Sequence, residues 1–154
     1  MTAPIFILAG EASGDQLAAH VMRAVNNAYE KPDWIGAGGR LMQVEGLESW
    51  VDMETLSVMG FGGAFKAYRR LSSLADELVE QAIKARPRLI ITVDNKGFSI
   101  RFASRLKRRM KAVGWSVPII HCVAPTVWAW GRWRAKKIAT VMDGLFCLFP
   151  FEPA

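Results

Sequence analysis

The stretch LIITV at residues 89–93 indicates the class of fold, because each of its positions is apolar or β-branched. A strand with this pattern is buried on both faces, as strands of a parallel sheet are. Apolar runs of similar length occur at Ile5–Ala9, Trp34–Ala37, residues 117–123 and residues 144–148. We therefore predict that these runs are strands.

Amphipathic stretches separate these runs and predict helices. They cover residues 14–29, Ala64–Ala85, residues 99–112 and Arg132–Val141, with a brief helix that ends near Glu45. Residues 47–60 are less regular and predict one short strand and a loop. Strands that alternate with helices imply an α/β fold with a doubly wound parallel sheet. The 154 residues are expected to form one domain.

The composition excludes several classes of protein. A hydrophobic fraction of 51% excludes a disordered chain, and no run approaches the roughly 18 apolar residues of a membrane-spanning helix. The apolar start lacks a basic flank and runs into Glu11 and Asp15, which excludes a signal peptide. We expect a cytosolic or peripheral protein. Cys122 and Cys147 are isolated and predict buried thiols rather than a disulfide or a metal site.

Positive charge is concentrated in one part of the sequence. Between Asp94 and Asp143 there is no acidic residue, whereas 11 of the 20 basic residues lie there. Such polarity suits an anionic partner, namely a phosphate, a nucleic acid or an acidic lipid. Solvated helix faces without a partner are the alternative.

In sheets of this kind, ligands bind beyond the carboxyl ends of the strands. The first such loop is GEASGD, and its candidate ligand-binding residues are Gly10, Glu11, Ser13, Gly14 and Asp15. Its glycines allow close backbone approach, and Ser13 or Asp15 can cap the helix, whose first amides favour anions. The loop is neither G-x-G-x-x-G nor a P-loop, so no dinucleotide cofactor is predicted. A simple helix cap is the alternative.

Two further loops follow predicted strands. Asp94 and Asn95 end the LIITV strand, and a carboxylate there could accept a proton from a sugar hydroxyl. The alternative for Asp94 is again a helix cap. Trp128 and Trp130 follow the strand at residues 117–123. Their indoles can stack on a sugar or form part of the core.

The stretch around residues 61–71 mixes aromatic and basic residues. The aromatic residues Phe61, Phe65 and Tyr68 share one helical face with Leu71, and the flanking cations are Lys66, Arg69 and Arg70. This composition predicts a helix that rests on an anionic membrane. A helix that faces the core with a basic outer edge is the alternative.

Five collinear motifs resemble the lipid A disaccharide synthase family. They are GEASGD at residues 10–15, GGRLM at residues 38–42 with Glu45 and Gly46, DMETLSVMG at residues 52–60, PTVWAW at residues 125–130 and LFPFE at residues 148–152. The resemblance extends over essentially the whole chain. It implies the N-terminal, acceptor-side half of a two-domain, GT-B-type glycosyltransferase with Rossmann-like halves. The donor half is expected to be absent from this chain.

By the resemblance, the enzyme is inverting. It transfers 2,3-diacylglucosamine from UDP-2,3-diacylglucosamine to 2,3-diacylglucosamine 1-phosphate, and it releases UDP. Asp94 is then the base for the acceptor 6-hydroxyl. The implied partners are these substrates, the cytoplasmic surface of the inner membrane and the missing half, without nucleic acid or cofactor. The isolated fragment is expected to be inactive.

The sequence also departs from the family at the LIITV strand end. The family often has a second acidic residue where this chain has Gly97. One alternative function is a basic binding module for nucleic acid or phosphate without catalysis. Another is a truncated pseudoenzyme.

Overall fold

The computed structural model describes residues 3–53, 64–123 and 132–147. Within them, the strands are β1 Ile5–Ala9, β2 Trp34–Ala37, β3 Leu47–Ser49, β4 Leu89–Val93, β5 Ile119–Cys122 and β6 Gly144–Phe146. The helices are α1 Ala12–Ala28, α2 Arg40–Val44, α3 Ala64–Ala85, α4 Lys96–Ala112 and α5 Arg132–Val141. Phe61, Trp128 and Trp130 lie outside the described residues.

The strands form one parallel sheet in the order β3-β2-β1-β4-β5-β6. This arrangement confirms the predicted doubly wound, Rossmann-like α/β fold. The chain moves outward from β1 in one direction and from β4 in the other, so the order reverses between these two strands. A crevice beyond the carboxyl ends of two such strands is where doubly wound sheets bind ligands.

Both faces of the sheet are covered by apolar side chains. Phe6 and Leu8 of β1 contribute to a core with residues of α3 and α4, whereas Ile7 contributes to the core beneath α1. Phe6 stacks on Phe102 of α4 with ring centroids 5.1 Å apart. Burial of each such side chain contributes about 1.5–3 kcal/mol, so these contacts hold α4 on the sheet.

The bounds of α1, α4, β5 and β6 differ from prediction, and two of these differences have a clear local cause. α4 begins three residues before the predicted residue 99, because the Asn95 side chain accepts a hydrogen bond from the Phe98 N–H. β5 is shorter than residues 117–123. Pro118 has no N–H to donate, and Val123 adopts a left-handed φ of 82° that ends the extended backbone.

Ion pairs within the chain neutralise part of the positive charge that lies between Asp94 and Asp143. Arg105 and Arg109 of α4 pair with Asp76 and Glu80 of α3, at 3.0 and 2.6 Å. Lys107 pairs with Asp143 at 2.7 Å. Fewer cations are therefore free for an anionic partner than the sequence count indicates.

Candidate active site

The loops after β1 and β4 meet where the strand order reverses. Ala9 lies opposite Val93 in the sheet, so both loops leave from adjacent points. The Ser13 hydroxyl donates a hydrogen bond to Oδ2 of Asp94, with 3.0 Å between the two oxygens. The sequence prediction that Ser13 and Asp94 share one rim of the sheet is confirmed.

The backbone of Asp94 is held from several sides. Its N–H donates to the carbonyl of Cys122 in β5, and its carbonyl accepts a hydrogen bond from the Ser99 hydroxyl. Asp94 and Asn95 have φ values of 52° and 38°, in the left-handed region. Asp and Asn tolerate this region better than most residues, although it still costs free energy. Two successive residues of this kind turn the chain sharply at the strand end.

Asn95, and not Asp94, caps α4. The Asn95 Oδ1 accepts the hydrogen bond from the Phe98 N–H at 3.4 Å. The alternative of Asp94 as a helix cap is therefore wrong, since within the described residues its carboxylate bonds Ser13 and not an N–H group of α4. Its contact with Ser13 in α1 places it at the crevice instead.

Glycines let the two loops approach each other. A Cβ at Gly10 would lie 2.7 Å from the Asn95 amide nitrogen, closer than real Cβ contacts allow. A Cβ at Gly14 would lie 3.3 Å from the carbonyl oxygen of Val93. A side chain at Gly10 would therefore displace either its own loop or the Asn95 side chain that caps α4.

Asp15 has a structural task that the sequence did not reveal. Its buried carboxylate accepts hydrogen bonds from the N–H groups of Gly39, Leu41 and Met42, at 2.9, 3.1 and 3.2 Å. It thus caps α2, a helix from the next part of the chain. The prediction that Ser13 or Asp15 caps α1 is wrong, because Glu11 is the N-cap residue there and its side chain makes no capping bond.

The position where the family often has a second acidic residue is open. A Cβ built on Gly97 meets nothing within 4 Å. A side chain would therefore fit at this position in the first turn of α4. Steric conflict does not explain the glycine, and the structure offers no other explanation.

A buried polar pair lies below the rim and was not predicted from the sequence. Thr92 Oγ1 and His121 Nδ1, on β4 and β5, lie 2.8 Å apart, and both residues are buried. The only signal in the sequence is a histidine inside an apolar run. The neighbouring Cys122 is also buried, and desolvation raises the pKa of its thiol to about 11. This thiol therefore stays protonated near neutral pH and does not act as a nucleophile.

An aromatic and basic surface lies on the same side of the molecule. α3 precedes β4 and runs back to the amino end of that strand, so its first turns lie near the carboxyl rim. There Phe65 and Tyr68 are 73% and 53% exposed. The Arg69 guanidinium lies 6.0 Å from the Phe65 ring, and that of Arg101 lies 4.5 Å from the Tyr68 ring. The rest of α3 packs on the core through Leu74, Leu78 and Val79, as the alternative of a core-facing helix predicts, and only its first turns expose these two aromatic rings.

The described part of the chain contains neither a bilayer-spanning helix nor a cluster of potential metal ligands. Across residues 3–53, 64–123 and 132–147, no helix is long and apolar enough to span a bilayer. The same parts of the chain contain no group of three or more His, Cys, Asp or Glu side chains arranged to hold a metal ion. Cys122 and Cys147 are both free thiols, the first buried and the second half-buried.

A sequence profile of the lipid-A-disaccharide synthetase family matches residues 5–154. The chain belongs to this family. It is 40% identical over 153 residues to lipid-A-disaccharide synthase from Azoarcus sp., covering 99% of this chain and 38% of that relative. It is 40% identical to the synthase from Dechloromonas aromatica and 37% identical to that from Neisseria meningitidis serogroup C. These matches cover 97% of this chain in both cases, and 38% and 37% of the two relatives. The chain therefore spans somewhat more than a third of the length of these relatives.

Proposed function

We propose that this chain forms the acceptor-side domain of an inverting glycosyltransferase of lipid A biosynthesis. The reaction transfers 2,3-diacylglucosamine from UDP-2,3-diacylglucosamine to 2,3-diacylglucosamine 1-phosphate. The products are lipid A disaccharide 1-phosphate and UDP. The observation that carries the proposal is the Asp94 carboxylate, which lies at the reversal point of the sheet in a member of this family.

Asp94 acts as the general base in this scheme. Its carboxylate accepts the proton of the acceptor 6-hydroxyl while that oxygen attacks the anomeric carbon of the donor. The bond from the anomeric carbon to the UDP oxygen breaks as the new glycosidic bond forms. One displacement of this kind converts an α-linked donor into a β-linked product. A positioned base contributes roughly 10²–10⁴-fold to the rate.

Several further residues are proposed to contact the substrate. Gly10, Glu11, Gly14 and Asn95 belong to the two loops that meet at Asp94. Trp128 and Trp130, outside the described residues, keep their proposed role of stacking on a sugar. Ser13 and Asp15 have the intramolecular partners given above, and direct substrate contact by either remains a prediction.

We further propose that the aromatic and basic surface on α3 rests on the cytoplasmic side of the inner membrane. The acceptor carries acyl chains, and Phe65 and Tyr68 expose apolar rings on the side of the molecule where the base lies. Lys66, Arg69 and Arg70 are exposed on the same turns and suit acidic headgroups. Phe61 precedes them in sequence. A peripheral enzyme placed this way can take its acceptor without extracting the acyl chains into water.

A second domain is proposed to supply the donor contacts, since the relatives are much longer than this chain. The test joins these 154 residues to the remaining C-terminal part of the Azoarcus relative. We expect transfer of radiolabelled diacylglucosamine by the fused protein and none by the 154-residue chain alone. A folded fusion that transfers no sugar would overturn the proposal.

The alternative of a basic nucleic-acid module is less well supported. Arg105, Lys107 and Arg109 are engaged with carboxylates of the same chain. The parallel strands also bring GEASGD and Asp94 to the same edge of the sheet. A protein that binds the phosphate backbone of a nucleic acid does not require this arrangement.

A further inference from the structure

We infer that Ser13 is a positioning residue, whose hydroxyl orients the Asp94 carboxylate for proton transfer. The inference rests on the proposed function of Asp94 as the base. It assigns to Ser13 a contact with the base rather than with the sugar.

The two carboxylate oxygens of Asp94 have different surroundings. Oδ2 accepts the hydrogen bond from Ser13 at 3.0 Å. Among the residues that the structure describes, no hydrogen bond reaches Oδ1. One oxygen is thus held in place and the other is available to an incoming hydroxyl.

The backbone of Asp94 is already held by β5 and by the first turn of α4. Its N–H and carbonyl are bonded to Cys122 and Ser99. The side-chain torsions remain to be set, and Ser13 restrains them from the first turn of α1. A hydrogen bond between a hydroxyl and a carboxylate is stronger than one between neutral groups, which suits this role.

Packing does not explain the serine. Ser13 is exposed, so it is not needed to fill the core. It does not cap α1 either, because the N-cap residue of that helix is Glu11, whose side chain makes no capping hydrogen bond. Ser13→Ala should therefore fold normally. The geometry of the base, in contrast, is sensitive, because a misplacement of about 1 Å can lower a rate by about 10²-fold.

The first test measures steady-state transfer by the fused protein with the Azoarcus C-terminal part. We expect Ser13→Ala to lower kcat about tenfold with KM for the acceptor nearly unchanged, because a hydrogen bond to a charged group is lost. Ser13→Thr retains the hydroxyl and should recover most of the rate. Ser73→Ala removes an exposed helical hydroxyl that bonds Glu77, and it serves as the matched control. A raised KM with unchanged kcat for Ser13→Ala would instead assign Ser13 to substrate binding and overturn the inference.

A double-mutant cycle separates positioning from an independent effect. In an Asp94→Asn background, Ser13→Ala should cause no further loss of kcat, since there is no base left to orient. Losses that multiply would contradict the inference.

An inactive fusion would count against the proposed function. The contact between Ser13 and Asp94 is then tested separately, by unfolding of the 154-residue chain in urea. Glycine tolerates the left-handed backbone at residue 94. Ser13→Ala should lower the urea midpoint in the parent but not in Asp94→Gly. Equal shifts in the two backgrounds would overturn the inference without reference to activity.

Discussion

The Asp15 carboxylate of α1 lies 2.9 Å from the backbone nitrogen of Gly39, which is 24 residues further along the chain. The same carboxylate also accepts the N–H groups of Leu41 and Met42. A Cβ at Gly39 would lie 2.5 Å from Oδ2 of Asp15. Two of the family motifs, GEASGD and GGRLM, are thus joined by one buried carboxylate.

Asp15→Ala should destabilise the fold, because it leaves the first N–H groups of α2 without an acceptor in a buried place. We expect a loss of about 2 kcal/mol in the free energy of unfolding. Urea unfolding followed by circular dichroism measures this loss. Glu11→Ala, in the same loop but with an exposed side chain that forms no cap, is the control and should change stability little. Equal stability of Asp15→Ala and the parent would contradict the capping role.

Asp94→Asn should lower turnover of the fused protein by roughly 10²–10⁴-fold, the range for loss of a positioned general base. The amide keeps the shape of the side chain, tolerates the left-handed backbone and can still accept the Ser13 hydrogen bond. Steady-state transfer and circular dichroism are measured together, so that unfolding is recognised. A folded Asp94→Asn protein that transfers sugar at the parent rate would show that Asp94 is not the base.

Replacement of Phe65 and Tyr68 by Ser should weaken binding to anionic liposomes roughly tenfold, because apolar area that enters the membrane is removed. The effect should be largest at low salt, where Lys66, Arg69 and Arg70 also attract acidic headgroups. Sedimentation with liposomes of phosphatidylglycerol and phosphatidylethanolamine measures it. A further Phe61→Ser substitution tests the residue that precedes this helix.

Tyr29→Ser is the matched control for the membrane surface. Tyr29 is 74% exposed, like Phe65, but follows α1 and therefore lies at the amino end of the sheet, away from the rim. Its loss should leave liposome binding unchanged. If the Tyr29 variant and the Phe65 and Tyr68 variant weaken binding equally, the α3 surface is not the membrane contact.

Acid should destabilise the protein partly through Asp143. Burial raises the pKa of this carboxyl, but hydrogen bonds from Lys107 and the Ile119 N–H outweigh it, and the net pKa is lowered. The hydrogen bond from Arg109 likewise lowers the pKa of Glu80. A carboxyl with a lowered pKa in the folded state stabilises the fold above its unfolded pKa, near pH 4. This contribution is lost as the pH falls through the folded value.

Asp143→Asn should therefore cost stability at pH 7 and progressively less as the pH falls below about 4. The amide still accepts the Ile119 N–H but no longer attracts Lys107 as an anion. Urea midpoints at pH 7 and at pH 3 measure the difference between variant and parent. Asp33→Asn removes an exposed charge before β2 and is the control. A difference that stays constant with pH would contradict the linkage.

The sequence predicted the bounds of the strands well where the strands are buried on both faces. Ile5–Ala9, Trp34–Ala37 and Leu89–Val93 were predicted with their observed bounds, because short runs rich in apolar and β-branched residues favour buried parallel strands. Boundaries set by side-chain caps were less certain. α4 starts at Lys96 because Asn95 adopts a left-handed backbone and accepts the Phe98 N–H, and neither feature follows from hydrophobic periodicity.

In the candidate site, too, some features follow from the sequence and others only from the tertiary structure. The sequence by itself determined the fold class, the family and the identity of the strand-end residues, since these depend on local pattern and residue type. The tertiary structure decided what each side chain contacts: Asp15 with the start of α2, Ser13 with Asp94, and Arg105 with Asp76. These partners are separated by 24 or more residues along the chain. They meet because β1 pairs with both β2 and β4, and because α3 and α4 pack side by side on the sheet. Sequence patterns report neighbours along the chain, whereas hydrogen bonds and ion pairs depend on distances in space.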